Sequence, residues 1–306
     1  MCHPDVFHAG EIAVQERAGE RAIAASRESV IRCRLNDAAN GFVESQRAIA
    51  VAAAAPDGSL WASFWVGEEG FLRGNVAGDS VTVLRDLGDH ESDPVRAILQ
   101  PNEPFGLLVI DLETRRRLRI NGRVCRADRA GVEIGIREAF GNCPKYIQKR
   151  ARVDGTRASM ESALEHGSVL DEERRRFISC SDTLFVASTH RERGVDVSHR
   201  GGDRGFACVV DDRTVRIPDY RGNSLFQTLG NFELDARCGI AFIDFDRQRV
   251  LSATGSAAIE FGAEAATQPT GGTGRYWVFT VDRWIEFSIP SKTRWTLVER
   301  SPFNPR

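Results

Sequence analysis

No run in this 306-residue sequence approaches the roughly 20 apolar residues that cross a bilayer. The opening segment, MCHPDVFHAGEIAVQERAGER, carries His3, Asp5 and Glu11 where a signal peptide needs an apolar core. A cytoplasmic location without a membrane partner is therefore expected. Charge of one sign is missing too: 41 Lys plus Arg stand against 43 Asp plus Glu, a formal net charge of −2. A chain so balanced does not bind nucleic acid through its overall field, although a local basic site stays open. Closely spaced cysteines are also missing. Cys2, Cys33, Cys125, Cys143, Cys180, Cys208 and Cys238 make an odd count, none two to four residues from another. That pattern predicts reduced thiols rather than a disulfide framework or a zinc knuckle.

Familiar catalytic signatures are absent as well. There is no Gly-x-Ser-x-Gly elbow, Walker loop or Gly-x-Gly-x-x-Gly fingerprint, and GGTG at 271–274 lacks the following glycine and the strand–helix context. His3, His8, His90, His166, His190 and His199 show no ligand spacing with Cys or carboxylates. No metal site is expected, and no side chain can be assigned as catalytic acid, base or nucleophile.

What is present is a repeat. FVESQRAIAVAAA from Phe42 aligns with FISCSDTLFVAST from Phe177, and SFWVGEEGF from Ser63 with SHRGGDRGF from Ser198, both 135 residues on. GDSVTVLRD from Gly78 and FGLLVIDLETRRRLRINGRV from Phe105 recur, 133 residues on, as DDRTVRIPD from Asp211 and CGIAFIDFDRQRVLSATGSA from Cys238. Four blocks in one order with so long a period mean tandem domains, not a solenoid. Each unit has an initial helix, short Val-, Ile- and Phe-rich strands bounded by Gly and Asp turns, one interrupting helix, and two longer strands. A strand-rich unit of this kind removes its exposed edges by closing into a barrel. The expected fold is mainly β with helices. It comprises a helical arm at 1–34, a barrel at 35–150, a helical linker at 151–176 and a second barrel at 177–306, with 158–180, whose charges have helical spacing, joining the two units. The stretch GGTGRYWVFTVDRWIEFSIP supplies the last aromatic strand.

One segment, IPDYRGNSLFQTLGN (217–231), runs from a strand through a turn into a helical pattern opening near Ser224. A helix mouth exposes unpaired N–H groups and the positive end of the dipole, which suits an anion. Arg221 offers bidentate donors there, and Asn223 and Ser224 an amide and a hydroxyl; the plain alternative is a cap with Asn223 as N-cap. In SHRGGDRGF, Ser198, His199, Arg200 and Arg204 alternate with glycines that admit a close ligand, or else form a hairpin with solvated arginines. The first repeat has DLGDHESDPVRAILQPNEP at the equivalent place, where Asp89, Glu91 and Asp93 repel a phosphate and Pro94 marks a structural helix start. In GNCPKYIQKR (141–150), Pro144 suits helix position N1 with Asn142 as a cap, and Cys143 reads as an inert thiol. In RRRLRINGRV (115–124), alternation puts Arg115, Arg117 and Arg119 on one face. That face either binds a nucleotide phosphate, reaches across a dimer, or is a solvated face paired with acids, and the last reading is preferred on base rates.

FISCSDTLFVAS, VDVSHRGGDRGF, TVRIPDYRGNSLFQTLGNFELDARCGIAFID and AFGNCPKYIQKR together resemble the pyridoxamine 5'-phosphate oxidase-like family of FMN-binding split barrels, in its tandem-domain bacterial branch. The resemblance spans about residues 5–290 and is strongest in the second repeat. It implies two tandem split β-barrels with FMN between them. Arg221, Asn223 and Ser224 would then hold the flavin phosphate, Asp219 and Tyr220 flank the ribityl chain or ring, and Ser198 and Arg200 contact the flavin. Lys145, Tyr146 and Gln148 would reach in from the first barrel, while the first cradle has lost its anion. It also implies an oxidoreductase that moves electrons from a reduced nicotinamide nucleotide, NAD(P)H, or a partner reductase to a small-molecule acceptor, and a two-fold homodimer. The alternative is a non-catalytic module that stores or senses flavin, deazaflavin or haem.

Overall fold

Duplication in the sequence reappears as duplication of a sheet. The computed structural model describes residues 5–84, 92–155, 164–262, 269–289 and 291–305. The chain opens with α1 (Ala9–Arg17) and α2 (Arg21–Ala25), then α3 (Asp37–Glu44). The first unit follows as β1 (Ala48–Ala54), β2 (Leu60–Val66), β3 (Leu72–Gly74), β4 (Ser80–Leu84), α4 (Pro94–Ala97), β5 (Pro104–Asp111), β6 (Arg116–Ala127) and β7 (Gly131–Gly141). A connection carries β8 (Lys149–Asp154), β9 (Glu165–Gly167) and α5 (Glu172–Cys180). The second unit is β10 (Thr183–His190), β11 (Gly194–Gly201), β12 (Cys208–Val209), β13 (Thr214–Pro218), α6 (Gln227–Leu234), β14 (Arg237–Asp244), β15 (Arg249–Phe261) and β16 (Arg275–Ser288), and β17 (Thr293–Glu299) closes the chain.

The strands of the first unit lie in the order β2-β1-β5-β6-β7-β4-β3, and those of the second in the order β11-β10-β14-β15-β16-β13-β12. Element for element this is one topology, antiparallel throughout, with β9 added beside β16. Every strand of the first sheet except β7's far end sends alternate side chains into one cluster that includes Ile49, Trp65, Leu72, Val83, Leu107, Ile120 and Ile134. A sheet whose seven strands share one interior is curled round it, and its end strands β2 and β3 are not hydrogen-bonded to each other. Two tandem split barrels result.

The opposite faces are also buried, because the barrels pack on each other. Ala48, Ala50 and Ala52 of β1, Phe64 of β2, Leu108 of β5, Phe185 of β10, Val197 of β11 and Ala241 of β14 form a third cluster between them. Strands apolar on both faces read as continuous hydrophobic runs, which is why AIAVAAA shows no alternation. Each fully buried aromatic there contributes about 1.5–3 kcal/mol. Two equivalent glycines set the spacing. A Cβ on Gly106 of β5 would lie 2.8 Å from the Asp196 carbonyl carbon, and one on Gly239 of β14 would lie 2.5 Å from the Leu60 oxygen. The edge strand of each barrel thus presses on the backbone of the other.

Several local expectations are corrected. The charged segment 158–180 is helical only over Glu172–Cys180, with Asp171 as N-cap, and Glu165–Gly167 is a strand; 156–163 fall outside the described residues. GNCPKYIQKR forms no helix. It turns at Tyr146, whose φ is 67°, and enters β8, which pairs with β17. The helix expected at Ser224 begins at Gln227, after left-handed residues at Ser224 (φ 62°) and Phe226 (φ 58°). Arg115 is not in a strand but in the turn before β6, with φ 58°. Cys33 is disulfide-bonded, against the expectation of reduced thiols, whereas Cys125, Cys143, Cys180, Cys208 and Cys238 are free. No helix among the described residues is long and apolar enough to cross a membrane.

Candidate functional site

A cleft of about 840 Å³, open mouth included, lies where edge strand β11 of the second barrel meets β6 of the first. Its walls come from four places: β6, the 142–146 turn, the end of β11, and the loop from Pro218 into α6. All four belong to one chain.

β6 alternates, so Leu118 and Ile120 enter the first core while Arg117 and Arg119 project the other way into the cleft. Arg119 is buried and held by neutral acceptors, Gln227 Oε1 at 2.5 Å and the Ser198 hydroxyl, with Asp196 at 3.8 Å. Burial pulls its pKa down and pushes that of Asp196 up. Arg117 is half-buried and has no carboxylate within ion-pair distance among the described residues. Its Nε donates to the Cys143 carbonyl at 3.0 Å and its Nη1 to the His199 carbonyl at 3.5 Å, and its Nη2 lies 3.7 Å from Cys143 Sγ. Burial lowers its pKa to about 10, with Arg200 and Arg119 adding repulsion.

On the second-barrel side, Ser198 is buried and shares a hydrogen bond with Thr228 Oγ1 at 2.8 Å. Arg200 reaches Asp219 at 3.6 Å, and Asp219 is also held by Arg275 Nε at 3.0 Å. Tyr220 stands against Tyr146 with ring centroids 4.9 Å apart, and burial raises the pKa of both hydroxyls. Asn223 Nδ2 donates to Asn142 Oδ1 at 3.1 Å, and its own Oδ1 accepts from Leu225 N at 3.2 Å. Of the ten residues expected at the site, these seven positions line the cleft: Asp219, Tyr220, Asn223, Ser224, Ser198, Arg200 and Tyr146.

Three do not. Arg221 is exposed, and only its carbonyl is engaged near the cleft, by the Tyr146 hydroxyl at 3.0 Å. The Lys145 ammonium sits 5.4 Å over the Phe303 ring. Gln148 is buried but spends its amide on the C-terminal segment, accepting from Ser301 N at 2.8 Å and bonding Asn304. Ser224 is brought to the wall, but its hydroxyl donates to Glu20 Oε2 at 2.5 Å, and Glu20 Oε1 meets Arg275 at 3.4 Å. A carboxylate of the N-terminal arm therefore sits where the sequence suggested a phosphate. The arm also holds the loop through Gln15 Nε2 to the Leu225 carbonyl at 3.1 Å and Arg27 to the Asn223 carbonyl at 2.7 Å.

Sequence reasoning weighed Arg117 and Arg119 as a phosphate-binding face but preferred a solvated one, read Asn142 as a cap, and named His199 without choosing it. The alternation in RRRLRI was the available signal, but it could not say which face meets the other barrel. Unsatisfied polar atoms gather here: Arg119 Nε, Asn142 Nδ2, Arg200 Nε and both ring nitrogens of His199 are buried without partners.

The first barrel treats the equivalent place differently. Asp93 is fully buried as N-cap of α4, accepting from Val95 N at 2.9 Å, Arg96 N at 3.1 Å, Trp65 Nε1 at 2.8 Å and the Ser63 hydroxyl. Ser63 is the repeat partner of Ser198. An internal carboxylate thus satisfies the donors at that helix mouth. Asp89 and Glu91 lie outside the described residues. No group of three or more potential metal ligands occurs among the described residues.

No protein-family model and no curated protein matches the sequence. Among solved structures, the chain is similar to HupZ of Group A Streptococcus at 19% identity and a TM-score of 0.30, over 40% of this chain and 97% of that one. It is also similar to a protein related to general stress protein 26, of the pyridoxinephosphate oxidase family, from Clostridium acetobutylicum, at 10% identity and a TM-score of 0.29, over 41% and 92%. An F420 reductase matches at 14% identity and a TM-score of 0.24, over 39% and 94%.

Proposed function

We propose that the cleft binds a flavin nucleotide, FMN, and that the protein is an oxidoreductase passing electrons from a reduced nicotinamide nucleotide or a partner reductase to a small acceptor. One observation carries the anionic part of this reading: the half-buried Arg117 guanidinium faces the cleft with no counter-ion among the described residues. Burying a cation without a partner is costly, and an anionic ligand removes that cost. Arg117, Arg200 and Asn142 are the groups that would hold the phosphate, in place of Arg221 and Ser224. Tyr146 and Tyr220 offer apolar faces to a ring. The flavin itself is the expectation drawn from the motifs SHRGGDRGF and DYRGNSLFQTLGN.

A bound flavin supplies hydride and electron transfer. The chain's own share is binding, orientation and charge: Arg117 and Arg200 hold negative charge in a site of low dielectric, where such donors act strongly. The carboxylate that lines the cleft, Asp219, is committed to Arg275 and Arg200. That commitment also supports the second reading, a non-catalytic flavin module. The cleft walls described come from both barrels of one chain, so a two-fold dimer would carry two such clefts.

The test is a visible spectrum of the purified protein with added FMN, followed by anaerobic NADPH. Flavin taken up and bleached supports the enzyme. Flavin taken up without bleaching supports the binding module, and a protein that takes up no flavin sinks both.

A further inference from the structure

The N-terminal arm is anchored on both barrels. On the second, α1 lies against α6: Val14 enters that barrel's core, and the facing Gly10 and Gly230 leave no room for a Cβ between the two helices. On the first, Arg32 bridges to β7, its N–H donating to the Ala139 carbonyl at 3.0 Å and its carbonyl accepting from Ala139 N at 2.6 Å. Between these anchorages the arm grips residues 223–226, the stretch of chain that leads into α6 and puts Asn223, Ser224 and Phe226 on the cleft wall.

Each of those four residues leans on the arm. Arg27 donates to the Asn223 carbonyl at 2.7 Å, the Ser224 hydroxyl donates to Glu20, and Gln15 Nε2 donates to the Leu225 carbonyl at 3.1 Å. The Leu225 side chain is buried in a small apolar cluster with Phe7 and Ala24 of the arm and Phe140 of β7. The Phe226 ring lies 5.0 Å from the guanidinium of Arg275, which Glu20 holds at 3.4 Å. Ser224 and Phe226 have positive φ, a shape that residues with side chains keep only under outside restraint. Glu20 also reaches the charge of the cleft. It shares Arg275 with Asp219, bound at 3.0 Å, and Asp219 is the partner of Arg200 at 3.6 Å, so Glu20 sets how much of Asp219 is left for Arg200.

We propose that the arm is a strap that keeps the cleft in its ligand-binding shape, so that docking of the arm and filling of the cleft strengthen each other. The inference rests on the flavin reading above for the occupant of the cleft. With the arm away, Leu225 faces water, three polar contacts of the wall are lost, and nothing holds the left-handed turn that places Asn223 and Ser224. Linkage makes the effect mutual: whatever the docked arm adds to ligand binding, the bound ligand adds to arm docking.

The test follows amide hydrogen exchange of α1 and α2 in the full-length protein with and without saturating FMN, together with FMN affinity by fluorescence titration in the native protein, Glu20→Ala, Arg27→Met and Arg117→Met. FMN is expected to slow exchange in both arm helices by roughly ten-fold, beyond any change in core strand β1. Arg27 is exposed and outside the cleft, yet Arg27→Met is expected to weaken FMN binding roughly five-fold and Glu20→Ala roughly ten-fold, and both to speed ligand-free exchange of the arm. Arg117→Met is expected to weaken binding while ligand-free arm exchange keeps its native rate, which separates contact with the ligand from action through the arm. Arm exchange that bound FMN leaves unchanged, or native affinity in both arm variants, overturns the inference while leaving flavin binding intact. Tighter binding in the arm variants also overturns it, since the arm would then obstruct the cleft. Failure of the native protein to take up FMN overturns the flavin reading and this inference with it.

Discussion

The Ser224 hydroxyl donates to Glu20 Oε2 at 2.5 Å, joining residues 204 apart in the chain. Ser224 and Phe226 both have left-handed backbones, which non-glycine residues adopt only when their surroundings compel it. Glu20, Gln15 and Arg27 supply that compulsion from the N-terminal arm. Glu20→Ala is expected to lower unfolding stability by about 2 kcal/mol, measured in urea, because Arg275 and Ser224 lose a buried partner. Unchanged stability would mean that the arm does not hold the loop.

Arg117→Met tests the proposed anion contact. Loss of one charge-assisted hydrogen bond is expected to cost about 1.5–3 kcal/mol of FMN binding, read by fluorescence titration. The ligand-free variant is expected to change stability by less than about 1.5 kcal/mol, since relief of a half-buried cation without a counter-ion offsets the hydrogen bonds lost to the Cys143 and His199 carbonyls. Equal affinity would remove Arg117 from the site.

Arg221→Ala provides the contrast. Its side chain is exposed and outside the cleft, so truncation is expected to change FMN affinity by less than about 0.5 kcal/mol. A loss as large as that of Arg117→Met would restore the sequence-based placement of the phosphate.

Stability should depend on pH through Glu11. Burial raises its pKa to about 8 from 4.5, with Glu138 and Asp196 adding like charge. The folded state therefore keeps a proton that the unfolded state has released. This contribution is fully present below pH 4.5 and is lost as pH rises through 8. His8 acts in the opposite sense, since burial lowers its pKa to about 4 and its contribution is lost as pH falls from 6.5 through 4. Glu11→Gln is expected to abolish the alkaline decline, worth on the order of a few kcal/mol, and to leave the acid side in place. Urea unfolding at pH 5.5 and 8.5 reads both; a decline that persists in the variant would exclude Glu11 as its source.

The arm docks through two facing glycines. A Cβ on Gly230 of α6 would lie 2.6 Å from the Glu11 backbone, and one on Gly10 of α1 would lie 2.1 Å from the Gly230 oxygen. Gly230→Ala is expected to destabilise the protein by about 1–3 kcal/mol despite alanine's better helix propensity. Limited proteolysis should then cut the arm first. An unaltered melting temperature would show that the helices can move apart freely.

Much of this was written in the sequence. The repeat of SFWVGEEGF as SHRGGDRGF fixes two units of one topology, because the same alternation of apolar residues must fold into the same sheet. The DYRGN turn and the SHRGGDRGF strand end both lie along the cleft, and seven of the ten chosen residues line it. What local pattern could not supply was direction. Alternation shows that Arg117 and Arg119 share a face of β6, but whether that face meets water or a second barrel depends on packing between segments about 80 residues apart, such as Arg119 and Ser198. For the same reason Glu20, unremarkable in the sequence, reaches the Ser224 corner, Gln148 turns to the C-terminal segment, and the ring nitrogens of His199 are left without a hydrogen bond. The sequence alone determined the duplication and most of the strands, because apolar alternation is local; the docking of one barrel on the other decided which charges lost their water, because that depends on segments far apart in the chain.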